Sequence, residues 1–193
     1  MGEMLAAMYD PLIAPFDWFG VRQWREWVVG AARGRVLEIG VGTGLNLLRY
    51  RAAQTIAAID PDGASLRRAR TRRNGGAISL HQARAEELPF VDAAFDAVLA
   101  TFVFCSVGEP TRALAETRRV LKPGGTLRLV EHVRVSNRLV AGAQDAITPL
   151  WKELAGGCHL NRDTLAAVER AGFRVRAVKR LIGGLFIGID ATR

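Results

Sequence analysis

Glu38-Ile-Gly-Val-Gly-Thr-Gly44 sets an acid beside three glycines, and Asp60 ends the next apolar run. Glycines at 40, 42 and 44 allow a tight turn and let a ligand approach the main chain. A helix opening after them would present unpaired N–H groups and a positive dipole end, suited to a carboxylate or phosphate. An acid at position 60 can accept from both hydroxyls of a ribose, each charged hydrogen bond contributing about 1.5–3 kcal/mol. The dinucleotide fingerprint GxGxxG is not met, because the third glycine comes one position early and Leu45 takes the expected site. A P-loop is excluded, since no Gly-Lys-Ser/Thr follows. The plain alternative is a turn whose glycines serve packing, but both acids and all three glycines fall in register for a ligand.

Other reactive side chains are few. His132 directly follows a strand and is the candidate general base, with a structural histidine as its alternative. Cys105 reads as a small buried residue. Cys158 and His159 adjoin, but two ligands without further partners make no metal site, and no metal is expected. The two cysteines lie far apart with no CxxC pair, which argues against a disulfide framework and for a reducing compartment.

The elements that must position these residues alternate. Arg35-Val-Leu-Glu-Ile-Gly40, Thr55-Ile-Ala-Ala-Ile-Asp60, Ala77-Ile-Ser-Leu-His-Gln82, Phe95-Asp-Ala-Val-Leu-Ala-Thr101 and Thr126-Leu-Arg-Leu-Val-Glu131 read as buried strands. Helices are expected from the glycine loop to about Ala53, over 66–73 and over 111–121, the last stopped by Lys122-Pro-Gly-Gly125. Strands separated by helices predict βαβ units, hence an α/β fold with a parallel sheet covered on both faces. Phe173-Arg-Val-Arg-Ala-Val178 alternates strictly, and Leu185-Phe-Ile-Gly-Ile-Asp190 follows after a Gly-Gly pair. So short a connection requires antiparallel pairing.

The 193 residues fit one domain, and 49% apolar content supplies a core and excludes a disordered chain. Mean hydropathy is +0.09 and the pI near 10.6. The net charge of +8 comes almost wholly from arginine, lysine standing only at 122, 152 and 179. No apolar run of about 18 residues spans a membrane, and no secretory signal is recognisable, so a cytoplasmic protein is expected. Such charge attracts anions: nucleic acid, a lipid surface or an acidic substrate. The cluster Arg67, Arg68, Arg70, Arg72 and Arg73 reads as a solvated helix face.

ExGxGxG ending one strand and an acid ending the next resemble the class I S-adenosylmethionine-dependent methyltransferases. Ala85-Glu-Glu-Leu-Pro-Phe90, Phe95-Asp96 and Arg118-Arg-Val-Leu-Lys-Pro-Gly-Gly125 are similar to the branch holding the UbiE-like quinone methyltransferases. Thr101-Phe-Val-Phe-Cys-Ser-Val107, Glu131-His-Val133 and Gly157-Cys-His-Leu-Asn-Arg162 resemble small methyltransferase-like proteins that include membrane-associated thiol methyltransferases. These motifs cover about residues 34–180.

The resemblance implies a three-layer Rossmann-like fold, a mostly parallel seven-stranded sheet with an antiparallel C-terminal hairpin, and S-adenosylmethionine as cofactor. It implies that Gly40, Gly42, Thr43 and Gly44 cradle the methionine end while Glu38 organises the loop. Asp60, with Pro61 beside it, would hold the ribose. Ala85 and Glu86 would edge the adenine, and Thr101 would border the cofactor. Relatives often carry an aspartate where this chain has Arg84, so backbone groups or Glu86 would read adenine instead. Tyr9, Trp18, Phe102, Cys105 and Glu131 become acceptor-side candidates beside His132. The acceptor is a small apolar or amphiphilic molecule, with a thiol, a quinone or phenol, and a lipid amine all open.

Residues 1–33 would form an N-terminal segment on a catalytic core of 34–193. Trp18, Trp24 and Trp27 cluster there with Phe16 and Phe19. Val21, Trp24 and Val28 share a helical face with Trp27 adjacent, leaving Arg22, Arg25 and Glu26 elsewhere. The segment is either a lid over the cofactor or an interfacial helix on an anionic membrane. A non-enzymatic regulatory or nucleic-acid-associated protein on the same fold is the alternative. Against nucleic acid as partner, no Asp/Asn-Pro-Pro-aromatic motif follows the fourth strand.

Overall fold

The computed structural model describes residues 22–72 and 77–193. Tyr9, Phe16, Trp18, Phe19, Val21 and Arg73 lie outside that range. In chain order the elements are α1 (Arg22–Val29), β1 (Gly34–Ile39), a 3-10 turn (Leu47–Arg49), β2 (Ala53–Asp60), α2 (Gly63–Thr71), β3 (Ala77–Gln82) and β4 (Phe95–Thr101). Next come α3 (Pro110–Val120), β5 (Leu121–His132), α4 (Arg138–Leu154), α5 (Thr164–Arg170), β6 (Arg174–Leu181), a second 3-10 turn (Ile182–Gly184) and β7 (Phe186–Thr192).

One seven-stranded sheet runs β3-β2-β1-β4-β5-β7-β6. The first five strands are parallel, while β7 lies antiparallel between β5 and β6. Strand alternation sorts the core into two layers. Leu37, Ile39, Val98, Ala100, Leu127 and Leu129 pack with α3 and α5 through Ala113, Leu114 and Val168. On the other face, Val36, Ala97, Leu99 and Val130 pack with α1 and α2 through Val28, Leu66 and Ala69. This is the expected three-layer α/β fold with its antiparallel C-terminal hairpin. The chain leaves β1 toward β2 on one side and β4 on the other, so a crevice opens beyond the strands' carboxyl ends at that switch point.

Two local expectations fail. No α-helix follows the glycine loop; the stretch closes as the 3-10 turn Leu47–Arg49. Only Leu45 to Ala52 connect Gly44 to β2. As a helix they would travel about 12 Å, short of the ~20 Å that the six-residue β1 covers. The loop therefore has no helix dipole behind it. In α1, Arg25 is buried with Val28 and Val29, at 5% exposure. Trp24 and Trp27 stand half-buried against each other edge to face at 5.7 Å. Trp24 presses on the sheet so closely that a Cβ on Gly188 would lie 2.1 Å from its ring. Arg128 sits 4.6 Å over the Trp27 ring. These tryptophans pack on the protein's own sheet, and Arg25 points where the apolar pattern places no charge.

Candidate active site

Glu38 leaves the end of β1 fully buried and forms the hub of a polar network. Its Oε1 accepts from Asn46 Nδ2 at 2.9 Å and its Oε2 from the Tyr50 hydroxyl at 2.9 Å. Asn46 also donates to Thr101 Oγ1 at 3.2 Å and accepts from Arg25 Nη1 at 3.3 Å. Burial outweighs these hydrogen bonds and raises the Glu38 carboxyl to about 7. The network ties α1, β1, the loop and β4 together around a cleft bordered by Arg25, Glu38, Gly40, Gly42, Asn46 and Thr101.

Gly40, at φ 66°, allows the loop after β4 to close in, since a Cβ would meet Val103 Cγ2 at 2.4 Å. Gly42, at φ 53°, has no atom within 4 Å of where a Cβ would be, so open space lies beside its main chain. Its N–H donates to Asp60 Oδ2 at 2.8 Å, and the Asp62 N–H donates to Oδ1 at 2.9 Å. Burial raises the Asp60 pKa, opposed by those two hydrogen bonds. Gly44 turns the chain against α2. Thr43 is braced from α2 by Arg72, whose Nη1 donates to its carbonyl and its Oγ1 at 3.1 Å each. Arg72 thus belongs to the loop, not to a solvated face. Pro61 follows Asp60, its carbonyl accepting from Gln82 at 3.0 Å.

Ala85 is buried. Glu86 is engaged elsewhere: its Oε1 accepts from Gly108 N–H at 3.1 Å, Glu109 N–H at 3.4 Å and Arg84 at 3.3 Å. Through that oxygen it holds the loop before α3.

At the acceptor end, Phe102 takes φ 58°, a left-handed conformation rare for an aromatic residue. Its ring centroid lies 5.0 Å from that of His132, and the Phe186 ring closes on His132 at 4.5 Å. Glu131 does not face an acceptor. It is fully buried and accepts from the backbone N–H groups of Val103, Phe104 and Cys105 at 2.9–3.0 Å. Successive strand residues point to opposite faces, so the acid before His132 turns to this loop instead. Cys105 is likewise wholly buried. What the fold adds is Cys158, whose Sγ lies 3.7 Å from His132 Nδ1. Hydrogen bonding from Cys105 lowers the Cys158 pKa, aided by His132 and Trp151, and the same contact with burial pushes Cys105 up.

Asn46, Tyr50, Arg25, Arg72 and Cys158 carry no spacing that announces them, because each meets its partner only through the fold. Arg25 stands in α1 among Arg22, Gln23 and Glu26, and only the fold shows it turned inward with Val28 and Val29.

Residues 37–129 match the family model described as a methyltransferase domain. The chain is 34% identical over 146 residues to thiol S-methyltransferase TMT1B of Rattus norvegicus, covering 72% of this chain and 59% of that one. Residues 37–129 thus carry a methyltransferase domain of that family. It is also 37% identical over 123 residues to phosphatidylethanolamine N-methyltransferase of Cereibacter sphaeroides, covering 62% of this chain and 61% of that one. The chain thus spans about three-fifths of the length of these relatives. The methyltransferase solved in complex with the Haloferax volcanii Trm112 activator shares the fold, with a TM-score of 0.79 at 16% identity over 98% of this chain and 96% of that one. Family and fold imply S-adenosylmethionine as the cofactor. The residues present fit it: open space beside Gly42, the Asp60 carboxylate against the Gly42 N–H, and a cleft with both an acid and a guanidinium on its walls.

Proposed function

We propose that this chain transfers a methyl group from S-adenosylmethionine to the sulfur of a small apolar thiol. The observation that carries this reading is His132, a polar group held between the aromatic rings of Phe102 and Phe186 beside Cys158, at the ends of β4 and β5. An acceptor that must lose a proton needs such a group, whereas a neutral amine needs only desolvation and alignment. The likeness to a thiol S-methyltransferase supports it.

Bound cofactor supplies a methyl on a sulfonium, open to direct displacement. Asp60 accepts from the ribose hydroxyls, and Gly40, Gly42, Thr43 and Gly44 receive the methionine end. Arg25, on the cleft wall, offsets the cofactor's carboxylate. Phe102 and Phe186 exclude water, and His132 eases ionisation of the acceptor. The assay is methylation of small alkyl thiols, phenols and phosphatidylethanolamine by the purified chain. Thiol methylation, reduced at least a hundredfold in His132→Ala, is the expected result. Methylation of the lipid amine alone, indifferent to that substitution, overturns the reading.

The site of action is proposed to be an anionic membrane surface. Among the described residues no helix is long and apolar enough to cross a membrane. Support comes instead from α4, which exposes Leu139, Val140, Ile147, Leu150 and Leu154 along one stripe, on a chain of net charge +8.

A further inference from the structure

Three segments far apart in sequence converge on one spot: the loop after β4, the end of β5 and the loop between α4 and α5. They bring Cys105 Sγ, Cys158 Sγ and a ring nitrogen of His132 within 4.8 Å of one another. We propose that these three side chains bind a thiophilic divalent cation of the zinc type. Adjacent Cys158 and His159 suggest a different pair, but His159 turns its ring to the Cys105 carbonyl at 3.2 Å. The trio is an assembly of the fold.

The geometry suits zinc. Bonds of ~2.3 Å to sulfur and ~2.1 Å to nitrogen in a tetrahedron place donors about 3.6–3.8 Å apart. Cys158 Sγ and His132 Nδ1 already stand at 3.7 Å. Two sulfurs and an imidazole, with no carboxylate among them, select against magnesium and calcium. The donors are also held in place. The Cys105 N–H is fixed by Glu131 at 3.0 Å, and its carbonyl accepts the His159 N–H at 2.8 Å. Arg162 clamps the Phe104 and Val107 carbonyls at 2.5 and 2.7 Å, and two aromatic rings flank the imidazole. Such outer support orients metal ligands. The Trp151 Nε1 is buried with no hydrogen-bond partner among the described residues.

Three protein ligands leave the fourth position open, as in catalytic rather than structural sites. Resting on the thiol reading above, that position is the acceptor's seat. The acceptor's S–H gives its proton to solvent as the sulfur coordinates. The sulfur's electron pair then forms the bond to the methyl as the methyl–sulfonium bond breaks, leaving a neutral thioether on each side. His132 then eases ionisation of the acceptor through the metal it holds, while the proton goes to solvent.

The test begins with zinc content of the full chain purified anaerobically, then cobalt titration of the metal-free, reduced chain. About one zinc per chain, and cobalt bands typical of a tetrahedral thiolate site, are expected. Cys158→Ser and His132→Ala should each lower retained zinc at least tenfold, with circular dichroism confirming their fold. A reduced wild-type chain that neither holds zinc nor takes up cobalt at about 10 μM overturns the proposal. So does a Cys105–Cys158 disulfide in the anaerobic protein, or metal retained in folded variants. Zinc bound without thiol methylation would refute the acceptor reading alone. Adding a small thiol should shift the cobalt bands, and no shift would remove the acceptor from the metal.

Discussion

Glu38 joins a buried carboxyl to an amide and a phenol, and its pKa near 7 makes it a stability reporter. Folding raises that value above the ordinary 4.5, so between pH 4.5 and 7 the native state keeps a proton that the unfolded chain releases. Its contribution to stability is therefore full below about pH 4.5 and falls as pH rises through 7. Glu38→Gln cannot titrate, and thermal unfolding from pH 4.5 to 8 should show a flatter curve than wild type. Equal slopes would mean that the carboxyl is already ionised in the fold. Asp60 answers a different question. Two charged hydrogen bonds to a ribose are worth about 1.5–3 kcal/mol each, so Asp60→Ala should weaken S-adenosylmethionine binding at least tenfold by calorimetry. Unchanged affinity would sink the ribose assignment. Both acids are legible in sequence because local spacing places them at strand ends beside the glycines. Asn46, Tyr50 and Arg25 are not, since what defines them is a partner across the cleft.

Helix α4 shows why periodicity can mislead at the level of elements. Its body-facing side holds Ala141, Gln144 and Thr148, while Leu139 is 87%, Leu150 60% and Leu154 73% exposed. Gln144 does the anchoring: it accepts from the Val135 N–H at 2.9 Å and donates to the Val133 and Leu160 carbonyls at 3.1 and 3.0 Å. An apolar stripe is ordinarily read as the buried side, and here it is the outer one. The bilayer contact proposed above would account for that inversion. Leu150→Glu combined with Leu154→Glu should abolish co-sedimentation with phosphatidylglycerol vesicles at low salt. The melting temperature should move little, since both side chains lie in solvent. Retained vesicle binding would take α4 out of the membrane contact. The strands, by contrast, are legible because buried parallel strands are continuous apolar runs. The absent helix after the glycine loop is a matter of distance, which pattern alone does not measure.

Across the whole molecule, the arginine excess acts partly as internal bracing. Asp190 on β7 joins three strands: Arg128 of β5 reaches its Oδ2 at 2.5 and 2.9 Å, and Arg176 of β6 reaches its Oδ1. Arg128 also donates to the Trp27 carbonyl at 2.7 Å, so the same carboxylate steadies α1 and, through it, the cleft wall bearing Arg25. The Asp190 side chain is 10% exposed. Removing it strands two cations at the sheet's antiparallel edge, one of them Arg128 at 19% exposure. A broken buried pair of this kind destabilises by about 3–5 kcal/mol, tempered here because Arg176 is 45% exposed. Arg119 and Asp92 make the contrasting case, with Asp92 77% exposed and the pair worth ~0–1 kcal/mol. Urea unfolding should therefore show Asp190→Ala losing at least about 2 kcal/mol while Asp92→Ala loses less than ~1 kcal/mol. Asp190→Ala should also weaken cofactor binding modestly, because α1 loosens with the hairpin. Equal losses in the two variants would mean that the three-strand clamp adds nothing beyond surface charge pairing.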